Sequence, residues 1–237
     1  MSVASRQILG AGLSRVAFAL LAIGALAILN CAAQEPATPA KTAQELAKRI
    51  DDHYNHLRSL KAEFSEQYDG LGMHRSEAGA MLLRKPGRMR WEYKSTPGKV
   101  FVLDGRYAWF YAPGETQVQR IAASQLDDLR SPLRFLLGHT KVESELEGLK
   151  ISPLEQAGRA SAYLLTGVPK GQQKRIAKLS LTVAQDGTIL SIAIEEVDGA
   201  ETQFTFTNEQ PNVAIPDGAF HFTPPAGVPV VDALPPV

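Results

Sequence analysis

Asp-Gly recurs five times in this chain, at Asp69-Gly70, Asp104-Gly105, Asp186-Gly187, Asp198-Gly199 and Asp217-Gly218. Both residues tolerate the positive φ of a tight hairpin turn, so each pair marks a point where a strand can double back. Strand-like runs flank most of them, over residues 99–113, 176–208 and 217–225. In the longest run Leu179, Leu181 and Val183 alternate with polar neighbours, as do Ile192 and Ile194, and then Phe204 and Phe206. That period is the mark of strands with one buried face. No long crossovers separate the strands, so the pattern predicts an antiparallel, meandering sheet of ten or so strands. A sheet that long has to curl to cover its inner face.

Two segments break the period of two. Thr42 followed by Glu45 forms a capping box, which satisfies the first free amides of a helix. Ala43, Leu46, Ala47, Ile50, Tyr54 and Leu57 then recur at helical spacing, with Lys48, Arg49, Asp51 and Asp52 on the opposite side. Further on, Ser131-Pro132 and Gly138 bracket a short apolar helix containing Leu133 and Leu136. The expected fold class is therefore α+β, mainly β, in one domain. A curled sheet closed by one amphipathic and one short apolar helix leaves room for a cavity, as in small barrels that hold apolar ligands.

The amino terminus reads differently. Arg6 and Arg15 are the only charges before Glu35, and Val16 to Leu29 is an apolar run of 14 residues followed by Asn30-Cys31-Ala32-Ala33. A basic start, a short apolar core and a small-residue end describe a secretory signal peptide. The core is short of the about 20 residues a membrane span needs. Residues 1–33 are expected to be cleaved, leaving a polar leader at 34–40 and a domain at 41–237. Cys31 is the single cysteine, so no internal disulfide and no Cys-rich metal site is available. It is also a candidate for lipid attachment, but Asn30 stands where such signals carry a small residue. The 25 basic and 25 acidic side chains balance, which argues against nucleic acid as the main partner.

Chemistry-bearing patterns are few. Gly167 and Gly171 are followed by Gln172-Gln173 rather than the Lys-Ser/Thr of a phosphate loop. Neither a Gly-x-Ser-x-Gly elbow nor a His-Glu-x-x-His helix occurs. His53 and His56 lie one turn apart on the first helix with no third ligand beside them, so a solvated helix face is expected there, not a metal site. Glu195 and Glu196 are strand neighbours and point to opposite faces. Neither a catalytic centre nor a cofactor is expected.

The most informative block is residues 82–93. Met89, Trp91 and Tyr93 share one strand face, and Arg88, Arg90 and Glu92 the other. An apolar core stripe and a solvated basic face are the plain reading. The order of features adds to it: Phe64-Ser65-Glu66-Gln67, Gly79, Lys85-Pro86, Met89-Arg90-Trp91, Pro97, Asp104-Gly105, Ala108-Trp109-Phe110-Tyr111, and Phe220-His221-Phe222-Thr223-Pro224-Pro225-Ala226-Gly227-Val228. In this order, from about Leu46 to Val231, the chain resembles the LolA-type periplasmic carriers of outer-membrane lipoproteins. It departs from that pattern at Lys85, where the family has Arg, and at Met89, where the family often has Phe. Lys lacks the planar fork of Arg, while Met still lines an adaptable apolar pocket.

The resemblance implies an incomplete antiparallel β-barrel with a helical lid over an apolar cavity for acyl chains. It implies that Phe64, Met89, Trp91, Trp109, Leu133 and Leu136 line or cover that cavity, and that Arg84 or Lys85 helps hold the lid. It implies a monomeric periplasmic carrier without cofactor, whose partners are lipoproteins, an inner-membrane ABC-type release complex and an outer-membrane receptor. The alternatives are the receptor itself, which would need a lipidated Cys31, a carrier of another lipid such as a glycolipid, and a structural module whose sheet interior is solid core.

Overall fold

A computed structural model describes residues 40, 42–126, 136, 141–154 and 162–232. The expected signal peptide, nearly all of the leader, Cys31 and Leu133 lie outside the described residues. The chain divides into two compact units, Met1–Pro36 and Ala37–Val237, and every described residue belongs to the second.

Helix α1 spans Ala43–His56, and the Glu45 amide donates to Thr42 Oγ1 at 3.1 Å, as the capping box requires. Strands β1 (Ser59–Gly70), β2 (Met73–Arg84), β3 (Arg88–Tyr93), β4 (Val100–Leu103), β5 (Tyr107–Tyr111) and β6 (Val118–Ala122) follow as one antiparallel meander. After the short helices α2 (Ala123–Leu126) and α3 (Val142–Glu145) comes a second meander. It comprises β7 (Leu146–Leu154), β8 (Ala162–Pro169), β9 (Ile176–Ala184), β10 (Ile189–Glu196) and β11 (Glu201–Pro211). Strand β11 pairs antiparallel with β1 and welds the two meanders into one sheet. A 3-10 turn at Asp217–Phe220 and a last strand, β12 (Val230–Asp232), complete a sheet of twelve strands in the order β12-β6-β5-β4-β3-β2-β1-β11-β10-β9-β8-β7. Its ends, β12 and β7, are not paired with each other, so the barrel is incomplete.

The sheet is antiparallel as expected except at its edge, where β12 pairs parallel with β6. One expectation is corrected by this topology. Only three of the five Asp-Gly pairs are the hairpin turns themselves: Gly105, Gly187 and Gly199 take positive φ between β4–β5, β9–β10 and β10–β11. The β1–β2 turn falls two residues later, on Leu71-Gly72, with Asp69 and Gly70 still in register opposite His74 and Met73. Asp217-Gly218 opens the 3-10 turn instead.

The core lies between α1 and the inner face of the sheet. Ala43, Leu46, Ala47, Ile50 and Tyr54 of α1 are buried, matching the spacing read from the sequence. They join a single apolar cluster with Leu60, Ala62, Phe64, Met81, Leu83, Met89, Trp91, Leu165, Leu181, Phe204 and Phe206 from both meanders. Two glycines permit close approaches here. A Cβ on Gly79 would lie 1.9 Å from the Glu92 carbonyl oxygen and 2.7 Å from the Phe64 ring, and one on Gly187 would lie 2.3 Å from the Arg49 carbonyl oxygen. The second contact brings the β9–β10 turn against the backbone of α1.

Candidate functional site: the inner sheet face beneath the first helix

Cross-strand register fixes which side chains share the inner face. Phe110, Phe101, Trp91, Met81 and Ala62 stand opposite one another in turn across β5, β4, β3, β2 and β1. The result is an unbroken apolar row across five strands. Around its middle the aromatic rings pack at angles: Phe64–Trp91 at 4.5 Å, Phe64–Tyr93 at 5.1 Å, Trp91–Phe204 at 5.7 Å and Trp91–Phe206 at 6.2 Å between centroids. Tilted and edge-on pairs of this kind add about 0.5–1.5 kcal/mol each beyond the area they bury. The row is graded in exposure. Trp91 is 2% exposed, Phe101 half-buried and Phe110 37% exposed, so it runs from the core to solvent.

One end of the inner face is polar. Glu66 and Glu77 sit directly opposite on β1 and β2, and both are buried. Two buried carboxylates side by side require compensation. Lys99 Nζ reaches Glu77 Oε2 at 2.5 Å, Arg75 lies 3.5 Å from Glu66 and 3.3 Å from Glu77, and the Tyr93 hydroxyl donates to Glu66 Oε2 at 3.1 Å. Burial, then the Glu66 charge, push the Tyr93 hydroxyl well above its ordinary pKa. Along β3 the face thus passes from Met89 and Trp91 to a charged rim within two residues.

Helix α1 is fastened over the other end by a few polar contacts. The Lys85 ammonium donates to the Tyr54 carbonyl, Arg49 donates to the Gln185 carbonyl at 3.0 Å, and the Ile189 amide donates to the Tyr54 hydroxyl at 3.0 Å. The Val142 amide donates to Asp51 Oδ1 at 2.9 Å. Burial lowers the Lys85 pKa. Beneath the carboxyl-terminal half of the helix, β11 bulges where two residues oppose Ala62, with Asn208 at φ 54°. Such a bulge re-aims the next side chain. Here Glu209 is brought inward, and burial, then the Asp186 charge, push its carboxyl up to about 7. His53 is half-buried with its pKa lowered by burial. The expectation of a solvated histidine face is therefore corrected: His56 is exposed, but His53 turns toward the sheet.

Of the residues singled out in the sequence, Phe64, Met89, Trp91 and Leu136 are all buried in the same cluster. Trp109 is not among them. It stands opposite Val102 and Arg120, on the outer face, one residue out of phase with the inner row. There its Nε1 donates to Asp104 Oδ2 at 2.8 Å and its ring lies 5.8 Å from Phe222. The basic pair also divides its work: Lys85 touches α1, while Arg84 donates to the Ile215 carbonyl at 2.8 Å and pairs with Asp217. Nor is the basic outer face of β3 simply solvated. Arg88 lies 3.1 Å from Asp217, and Arg90 donates to the carbonyls of Ala219 and His221, so this face holds down the chain after β11. A cleft of about 620 Å3 opens there, between Arg58, Arg84, Lys85 and residues 212–216, away from the apolar row. Sequence reading missed Phe101 and Phe110 as inner-face residues, and it read Phe204 and Phe206 as buried without placing them beside Trp91. Counting register outward from Trp91 through each hairpin would have found the first two.

Comparison with known proteins gives a consistent set. The family model described as outer membrane lipoprotein carrier protein LolA matches residues 55–223. The outer-membrane lipoprotein carrier protein of Chromobacterium violaceum is 26% identical over 175 residues, covering 73% of this chain and 81% of the relative. That of Serratia proteamaculans is 29% identical over 196 residues, covering 81% and 89%. Among solved structures, an uncharacterized conserved protein from Thermus thermophilus superposes with a TM-score of 0.52 at 14% identity, over 81% of this chain and 99% of the other. It shares the fold.

Proposed function

The chain belongs to the LolA family of outer membrane lipoprotein carrier proteins, and on that footing we propose that the apolar row beneath α1 is where it holds the acyl chains of its cargo. As a carrier of this family it works in the periplasm and performs no chemistry on what it carries. A sixteen-carbon chain in water costs about 0.8 kcal/mol per methylene, about 12 kcal/mol in all, so a lipid anchor needs an apolar shelter to cross an aqueous compartment.

The observation that carries the reading is the graded row Phe110–Phe101–Trp91–Met81–Ala62, which joins solvent to the core in register. Acyl chains enter at Phe110 and slide inward, displacing Leu46, Ile50 and Tyr54 of α1 from the sheet. One apolar contact replaces another, so loading and unloading are close to balanced and reversible. Lys85, through the Tyr54 carbonyl, and Arg49, through the Gln185 carbonyl, return the helix when the cargo leaves. Phe64, Met89, Trp91 and Leu136 form the floor and cover of the site, and Arg84 steadies the outer layer. Residues 1–33 direct export and are removed in the course of it. An inner-membrane ABC-type complex supplies the cargo and an outer-membrane receptor accepts it.

The test is release of radiolabelled lipoproteins from spheroplasts on adding the mature chain. The expected result is soluble lipoprotein complexes with the unaltered chain and markedly less with Phe110→Asp, whose far-UV circular dichroism stays the same. Equal release by the variant would remove the row as the entry path.

A further inference from the structure

Trp91 is 2% exposed, yet its indole Nε1 has no hydrogen-bond partner among the described residues. A buried donor left unmade costs about 1–3 kcal/mol, and such groups are rare enough in native proteins to need an explanation. Among the described residues no oxygen accepts from it: the rings of Phe64, Phe204 and Phe206 pack against it, and its cross-strand neighbours are Met81 and Phe101. Aromatic faces accept an N–H only weakly. A phenylalanine would fill much of the same space without the orphan donor. The other tryptophan shows what an indole does when an acceptor is in reach: Trp109, partly exposed, is satisfied by Asp104 at 2.8 Å.

We propose that the Trp91 indole N–H is a donor kept for an ester carbonyl of the cargo, so that the inner face selects ester-linked acyl chains over ether-linked alkyl chains. The position fits the shape of such a ligand. Trp91 lies two residues before Tyr93, about 7 Å along an extended strand, and the Tyr93 hydroxyl already belongs to the charged rim of Glu66, Glu77, Arg75 and Lys99. Trp91 therefore stands where the apolar strip meets the polar rim. A lipid with its glyceryl group at the rim places its ester carbonyls at that boundary and its hydrocarbon toward Met89 and Leu83, beneath α1. An ester carbonyl accepts a hydrogen bond and brings no donor of its own, so it satisfies the indole without burying a second orphan. An ether oxygen in its place is a poorer acceptor.

This inference rests on the carrier reading, and the two fail differently. The probes are dipalmitoylglycerol and its ether analogue dihexadecylglycerol, bound in competition to the mature chain and to the Trp91→Phe and Trp109→Phe variants. The unaltered chain and Trp109→Phe should prefer the ester by about tenfold, the equivalent of one hydrogen bond of about 1.4 kcal/mol. Trp91→Phe should lose that preference and bind the ester and the ether alike. If Trp91→Phe does not fold, the indole 15N–1H resonances of the unaltered chain replace it. The Trp91 signal should move downfield with the ester and not with the ether, and the Trp109 signal should stay. No ester preference in the unaltered chain, a preference that survives Trp91→Phe, or a Trp91 resonance that responds alike to both lipids would overturn the inference. Binding of neither lipid would overturn the carrier reading and this inference with it.

Discussion

Trp91 and Trp109 occupy opposite faces of the same stretch of sheet, and their surroundings show how differently those faces are built. Around Trp91 everything is aromatic or aliphatic, the donor is unpaired, and the cover is a helix fastened by a few hydrogen bonds. Around Trp109 the cover is the chain itself after β11. It is held by Arg84, Arg88 and Arg90 on Asp217 and on the carbonyls of Ile215, Ala219 and His221, and by β12 pairing onto β6. Phe220 is buried under that clamp with the Arg84 guanidinium 5.1 Å from its ring centroid. The inner layer is non-directional, so another apolar body can replace it. The outer layer is directional, with acceptors at fixed places, and is suited to stay shut. A carrier needs one of each: a face that exchanges its cover and a face that keeps the sheet curved while it does.

That contrast can be broken in three ways, from the largest effect to the smallest. Trp91→Ala should cost about 3–5 kcal/mol of stability in urea unfolding, and Trp109→Ala less than half as much, because only the former empties a closed cluster. Equal costs would mean that the outer face is core in the same sense as the inner one. Glu209→Gln sharpens the role of the bulge. The Glu209 carboxyl is raised from 4.5 to about 7 by burial and then by Asp186, with His53 and Tyr54 on the helix above it. A raised acid binds its proton more tightly when folded. Its stabilisation is therefore full below pH 4.5 and is lost as pH rises through about 7. Over that window the unaltered protein should lose up to about 3 kcal/mol that the Gln variant does not lose, seen as a flatter dependence of the urea midpoint on pH. Matching pH profiles would place the Glu209 carboxyl in water. Arg84→Met should cost about 1–2 kcal/mol and speed proteolysis within residues 213–222, with hydrogen exchange in α1 unchanged. Faster exchange in α1 would show that the two covers are coupled.

Much of the fold was legible because its signals are local. The α1 face from Ala43 to Tyr54 and the Thr42 cap were read in full, and the structure buries and bonds them as expected. Residues 176–208 gave β9, β10 and β11 with the right inner residues. The site was legible less evenly. Phe64, Met89 and Trp91 stand in strands where one face is plainly apolar, so alternation assigns them. In β5 both faces are apolar: Tyr107, Trp109 and Tyr111 on one, Ala108 and Phe110 on the other. Composition there does not say which faces in, and the expected inner residue, Trp109, is the outer one. The Arg84–Arg90 strip read as a solvated face because its partners, Asp217 and the carbonyls of 215–221, lie about 130 residues away.

The sequence by itself determined the elements, the hairpin points within a residue or two, the mainly-β class and the family pattern, since turn chemistry and periodicity act over a few residues. Only the tertiary structure decided which face is inner where both are apolar, as in β5, how β11 joins β1 to link the two meanders, why Lys85 and Arg84 serve different covers, and that one tryptophan keeps an unpaired donor in the core. Those outcomes depend on register and contacts between distant segments, where a shift of one residue exchanges the two faces, and outside the hairpins nothing local in the chain fixes that shift.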